Sequence, residues 1–156
     1  MSRLSYVHGA HDEPLLGETI GENLRRTVAA HADREALVVR SQGCRMTYRE
    51  LWEQTTTLAK ALMASGVAKG DRMGIWSPNR FEWVIAQYAS ARIGAILVNV
   101  NPAYKARELR YALHQSGVSL LVMSEGFRTT SYVELWDEVK AECPSVREVH
   151  VLERDG

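Results

Sequence analysis

The chain has 156 residues, 46% of them hydrophobic and 24% charged, with 19 basic side chains against 19 acidic ones. That length can bury the core of one domain, and the composition is far from that of a disordered chain. Zero net charge lacks the basic surplus of a dedicated nucleic-acid binder, and no apolar run approaches the roughly 18 residues of a membrane span.

Met1–Glu18 reads as an irregular polar arm with no apolar core of signal-peptide length, so the cytoplasm is the default location. Thr19-Ile20-Gly21-Glu22 is a capping box, in which hydroxyl and carboxylate satisfy orphan backbone N–H groups. It opens a helix with Ile20, Leu24 and Val28 on one face, ending near Ala32. Ala36–Val39 is a short strand, Ser41–Gly43 a turn and Arg45–Met46 a brief return strand. A second capping box, Thr47-Tyr48-Arg49-Glu50, opens a helix with Leu51, Leu58 and Leu62 inward and Gly66 as its C′ stop. Asn79-Arg80-Phe81-Glu82 and Ser131-Tyr132-Val133-Glu134 repeat the signature with other caps.

The stretch Gly70–Met123 organises the rest. Met73–Trp76, Ala95–Val98 and Leu120–Met123 have strand length without strict alternation, as expected where helices cover both faces of a sheet. Between them, Phe81, Val84, Ile85 and Tyr88, and then Leu109, Ala112 and Leu113, follow helical spacing. The fold class is therefore α/β, a right-handed βαβαβ unit with a parallel sheet. After a loop at Ser124–Thr130, a helix runs from Tyr132 to about Glu142, where Pro144 stops it. Val146–Leu152 is a further strand, and Glu153–Gly156 a turn-like tail. The domain reading is an arm over 1–18 and an α/β unit over 19–156.

Catalytic motifs are nearly absent. His8 and His11 form an HxxH pair with no third ligand nearby, so no metal site is read from them. There is no GxSxG elbow, no GxxxxGK[ST] loop, and no GxGxxG after a strand. Cys44 and Cys143 lie far apart, outside any CxxC pattern, and read as two thiols of a reduced compartment, with a disulfide as the alternative. Open α/β sheets bind ligands at the carboxyl ends of their strands. Three candidates sit there: Asn79 as a plain cap or one beside an anion, Asn101-Pro102 as a ligand loop or a turn, and Lys105, Arg107 and Arg110 as phosphate contacts or a solvated face. Trp76, Trp83 and Trp136 read as packing residues.

Five ordered stretches carry a family resemblance: MTYREL (Met46–Leu51), GDRMGIWSPN (Gly70–Asn79), ARIGAILVNVNPAY (Ala91–Tyr104), SYVHGAHDEPLLGETIG (Ser5–Gly21) and GFRTTSY (Gly126–Tyr132). They resemble the N-terminal region of adenylate-forming acyl-CoA synthetases, specifically medium-chain fatty-acid CoA ligases of the family-member-2 type. The resemblance implies an enzyme using ATP, Mg2+ and CoA to convert a fatty acid, through an acyl-adenylate, into its thioester. It also implies a departure, because the family's Ser/Thr/Gly-rich phosphate loop and adenylation lysine are missing from Met1–Gly156. The expectation is an N-terminal fragment that is not catalytic alone, binds none of these cofactors tightly and carries no catalytic or ATP-binding residue. The alternative is a freestanding, non-catalytic binding or interaction module derived from the ligase N-terminus.

By the same resemblance, the CoA-binding residues are Arg128 and the loop Asn101, Pro102, Ala103 and Tyr104, where related acetyl-CoA synthetases carry a glycine pair. The absence of a transit segment before Ser5 fits a cytoplasmic, bacterial-type enzyme. Apolar faces around Ala36–Val39 and Val146–Leu152 are expected to favour self-association.

Overall fold

A parallel four-stranded sheet forms the centre of the computed structural model, which describes residue 9 and residues 15–152. In chain order the elements are α1 (Ile20–His31), β1 (Glu35–Val39), β2 (Cys44–Thr47), α2 (Tyr48–Ala64), β3 (Arg72–Trp76), α3 (Phe81–Ile93), β4 (Ile96–Val100) and α4 (Ala106–Ser116). They continue with β5 (Leu120–Ser124), β6 (Gly126–Phe127), β7 (Thr130–Ser131), α5 (Tyr132–Val139) and β8 (Glu148–Leu152). The arm read over Met1–Glu18, apart from residue 9 and residues 15–18, lies outside the described residues, as do His8, His11 and the Glu153–Gly156 tail.

The strand order is β4-β3-β5-β8, all parallel. The first strand of this sheet in sequence, β3, is therefore internal: the chain steps from β3 to β4 on one side, then crosses back to β5 on the other. Crossovers of one hand running in opposite directions place their helices on opposite faces. The core divides accordingly. Met73 and Ile75 pack with Ala59, Leu62, Ala86 and Ala89 from α2 and α3. Trp76, Leu121 and Met123 pack with Leu109, Leu113, Tyr132 and Val139 from α4 and α5. A third cluster, around Leu24, Leu51 and Ile85, seats α1 and the antiparallel β1–β2 hairpin on the outside of α2 and α3.

Both capping boxes form as read, with Thr19 accepting from the Glu22 N–H and Thr47 from the Glu50 N–H. Gly66 takes the left-handed conformation (φ +83°) just beyond α2, which a Cβ would oppose. Ile20 is a correction: it stays 54% exposed, because α1 lies on an outer layer and buries only Leu24 fully.

Asn79 is a second correction. It does not cap α3; Arg80 occupies the N-cap position without a side-chain cap bond. The Phe81 N–H instead donates to Gln42 Oε1 (2.7 Å), from the 3-10 turn Arg40–Gln42 that follows β1. The Ser124–Thr130 loop is likewise more ordered than read: β6 and β7 pair antiparallel across an Arg128-Thr129 turn. Both cysteines are free thiols, with Cys143 buried.

Candidate functional site

The chain reverses direction across the sheet between β3 and β5, and a cleft of about 670 Å³ opens at the carboxyl ends of those strands. Pro78 and Arg80 follow β3; Ser124, Phe127, Arg128 and Ser131 line it from the β5 side. The two strand ends are tied together by buried hydroxyls, Ser77 Oγ and Ser124 Oγ, 2.7 Å apart. Ser77 Oγ donates to the Pro78 carbonyl (2.9 Å), so the proton between the two hydroxyls comes from Ser124.

Arg80 is only 8% exposed and is held by a forked pairing with Glu82, Nη2 to Oε1 at 2.7 Å and Nε to Oε2 at 3.1 Å. Burial pushes the Glu82 carboxyl up, but the Arg80 and Gln42 hydrogen bonds outweigh it and leave it below the usual range. Arg80 is thus the anchor of the α3 N-terminus.

Arg128 stands apart. It is exposed at the tip of the β6–β7 hairpin with φ +54°, the one non-glycine residue with positive φ among the described residues. Its guanidinium lies 5.1 Å from the Phe127 ring centroid. Gly126 at the hairpin base has no space for a Cβ, which would collide with the Thr130 carbonyl oxygen. A positive φ at the first central position is what the two-residue turn of this hairpin requires, at a cost a glycine would avoid.

The loop over Asn101–Tyr104 is a self-bonded turn. Asn101 Oδ1 accepts from the Ala103 N–H (2.9 Å) and the Asn101 carbonyl from the Tyr104 N–H (3.1 Å). Two buried aromatic side chains also grip it. Trp76 and Tyr132 stack with centroids 3.8 Å apart at 10°. Trp76 Nε1 donates to the Asn101 carbonyl (3.2 Å) and Tyr132 OH to the Pro102 carbonyl (2.7 Å). Burial pushes the Tyr132 hydroxyl up to about 12.

Of the basic residues on the next helix, Lys105 donates to Thr130 Oγ1 (2.8 Å) and Arg110 pairs with Glu142 (2.7 Å). Arg107 and Arg110 line a second cleft with Tyr104, Tyr111 and His114. Arg128 and Tyr104 therefore line different clefts, while Tyr132 and Lys105 join their two segments. By local pattern Trp76 is a packing residue and Tyr132 the start of a helix; nothing local announces a hydrogen bond to a carbonyl 30 positions away. Among the described residues, there is no group of three or more His, Cys, Asp and Glu side chains that could hold a metal ion. No helix among them is long and apolar enough to cross a membrane.

The profile of the AMP-binding enzyme family matches residues 24–156. The chain belongs to that family. It is 41% identical over 143 residues to the mitochondrial medium-chain acyl-CoA ligase ACSF2 of Mus musculus, and 42% identical to that of Homo sapiens. Each match covers 92% of this chain and 23% of the relative, so the chain spans about a quarter of the length of these curated relatives. A fatty acyl CoA synthetase of Mycobacterium tuberculosis superposes with a TM-score of 0.79 at 27% identity, covering 86% of this chain and 26% of that one. The α/β reading and the acyl-CoA synthetase resemblance both stand.

The cytoplasmic expectation is corrected by the same comparison, because the mouse and human relatives are mitochondrial proteins.

Proposed function

We propose that residues 19–156 are the N-terminal α/β part of an ATP-dependent, medium-chain fatty-acid CoA ligase, and that the chain is inactive by itself. The observation that carries this reading is the family match over residues 24–156 combined with 41% identity to medium-chain acyl-CoA ligases. The reaction has two halves. The carboxylate attacks the α-phosphorus of ATP and expels pyrophosphate, giving acyl-adenylate; the CoA thiol then attacks the acyl carbon and expels AMP, giving the thioester.

The role proposed for this chain belongs to the second half. Arg128 presents a planar cationic fork of the type that binds phosphate oxygens in pairs. Its exposure at a strand-end turn suits the nucleotide end of CoA, which remains near the surface while the thiol reaches inward. Asn101, Pro102, Ala103 and Tyr104 are the second segment of the proposed CoA site; Tyr104 lines the other cleft, and the turn is fixed from behind by Trp76 and Tyr132. Arg80 is engaged by Glu82 and serves the fold.

The test is thioester formation by the full-length protein from ATP, CoA and a series of carboxylates. Octanoate and decanoate should be converted faster than acetate or palmitate. Failure to consume ATP with any of them would remove the reading.

A further inference from the structure

We infer that Tyr132 is a positioning residue that holds the Asn101–Tyr104 turn in register with the Arg128 hairpin, so that one phosphate-bearing ligand reaching across both clefts meets both segments. The inference rests on the proposed CoA site and says how that site keeps its shape.

Tyr132 reaches three ways from one buried position. Its N–H donates to the Glu125 carbonyl (2.9 Å), closing the base of the hairpin that carries Arg128. Its ring stacks on Trp76, which fixes it to the end of β3. Its hydroxyl donates to the Pro102 carbonyl (2.7 Å), in the turn after β4. Packing alone does not call for that hydroxyl: Phe would fill the same space without burying a polar group. Trp76 shows the same economy, since its single donor goes to the adjacent carbonyl of the same turn. Two buried aromatic donors thus converge on successive carbonyls, Asn101 and Pro102, and hold the turn by its backbone. On the outside, Lys105 Nζ donates to Thr130 Oγ1 (2.8 Å) and ties the start of α4 to the hairpin. Turn and hairpin are therefore clamped from the core and from the surface, and the core clamp passes through Tyr132.

The test uses the full-length protein and the variant Tyr132→Phe, which keeps the stack and removes only the hydroxyl. Hydrogen exchange of the peptide over 101–105 should accelerate by about fivefold or more, the weight of one buried hydrogen bond. Exchange of the β5 core peptide over 120–124 should not change. In steady state the KM for CoA should rise while octanoate-dependent ATP–pyrophosphate exchange stays at wild type, a split that general loosening of the fold would not produce. Trp76→Phe should reproduce both effects. Unchanged exchange in the turn overturns the clamp. Faster exchange with an unchanged CoA KM, where Arg128→Ala does raise it, overturns the positioning role and leaves the CoA reading standing. If neither variant alters the CoA KM, the CoA reading falls and the inference falls with it.

Discussion

Gln42 caps helix α3 from 39 positions away, its Oε1 accepting from the Phe81 N–H at 2.7 Å while its Nε2 donates to Glu82 Oε2 at 3.0 Å. One amide thereby satisfies an orphan helix N–H and braces the Arg80–Glu82 pair beside the cleft at the carboxyl ends of β3 and β5. Gln42→Ala should cost about 1–2 kcal/mol, the usual weight of a lost N-terminal cap together with a hydrogen bond to a charged group. Asn79→Ala, at the position where local pattern put the cap, should stay within about 0.5 kcal/mol of wild type. Urea midpoints compare the two, and the reverse ranking would contradict the assignment.

The Tyr132 hydroxyl makes a prediction at alkaline pH. Its value rises from 10.0 to about 12 in the folded chain, so the folded state holds this proton more tightly than the unfolded one. Stability from this group is therefore complete below pH 10 and is lost as pH rises towards 12, where only the unfolded chain has given up the proton. Thermal melts across that window should show wild type losing stability faster than Tyr132→Phe. Parallel curves would mean that the hydroxyl is not buried as described.

The Arg128 hairpin should separate stability from function. A residue at φ +54° is opposed by its own Cβ at a cost of roughly 1 kcal/mol, which glycine escapes. Arg128→Gly should therefore be no less stable than wild type by urea denaturation, although the full-length protein loses affinity for CoA. Gly126→Ala should do the opposite kind of damage, disordering the hairpin because a Cβ meets the Thr130 carbonyl. A well-folded Gly126→Ala variant with wild-type exchange in the hairpin would argue against the described turn.

Much of this arrangement was legible in the sequence because its causes are local. Thr19 and Thr47 each lie three residues before a glutamate, and both boxes form. The three apolar runs became β3, β4 and β5, since helices on both faces demand continuously apolar strands. Non-local choices were not legible. Strand periodicity does not say which strand is central, so the place of the cleft between β3 and β5 emerged only with the order β4-β3-β5-β8. Gln42 displaced Asn79 as cap because the β1–β2 turn packs over α3. Tyr132 and Trp76 have the composition of core residues, and their second task depends on carbonyls distant in sequence.

The 156-residue chain alone should release no pyrophosphate from ATP and octanoate above a heat-treated control. It should also bind hydrophobic dye or associate with a second copy through the outer strands, where Val38 is 39% and Val151 46% exposed. Pyrophosphate release above control would place adenylation chemistry within these residues. A monodisperse, dye-silent monomer would contradict the surface prediction.

Whether Arg128 holds CoA is decided by Arg128→Ala in the full-length protein, with the KM for CoA and octanoate-dependent ATP–pyrophosphate exchange measured side by side. A lost phosphate contact of about 1.5–3 kcal/mol corresponds to roughly a 10- to 150-fold rise in the KM for CoA, with the exposure of Arg128 drawing it to the low end or below. Acyl-adenylate formation should stay near wild type. Unchanged CoA kinetics, or an equal loss in both half-reactions, would remove Arg128 from the CoA site.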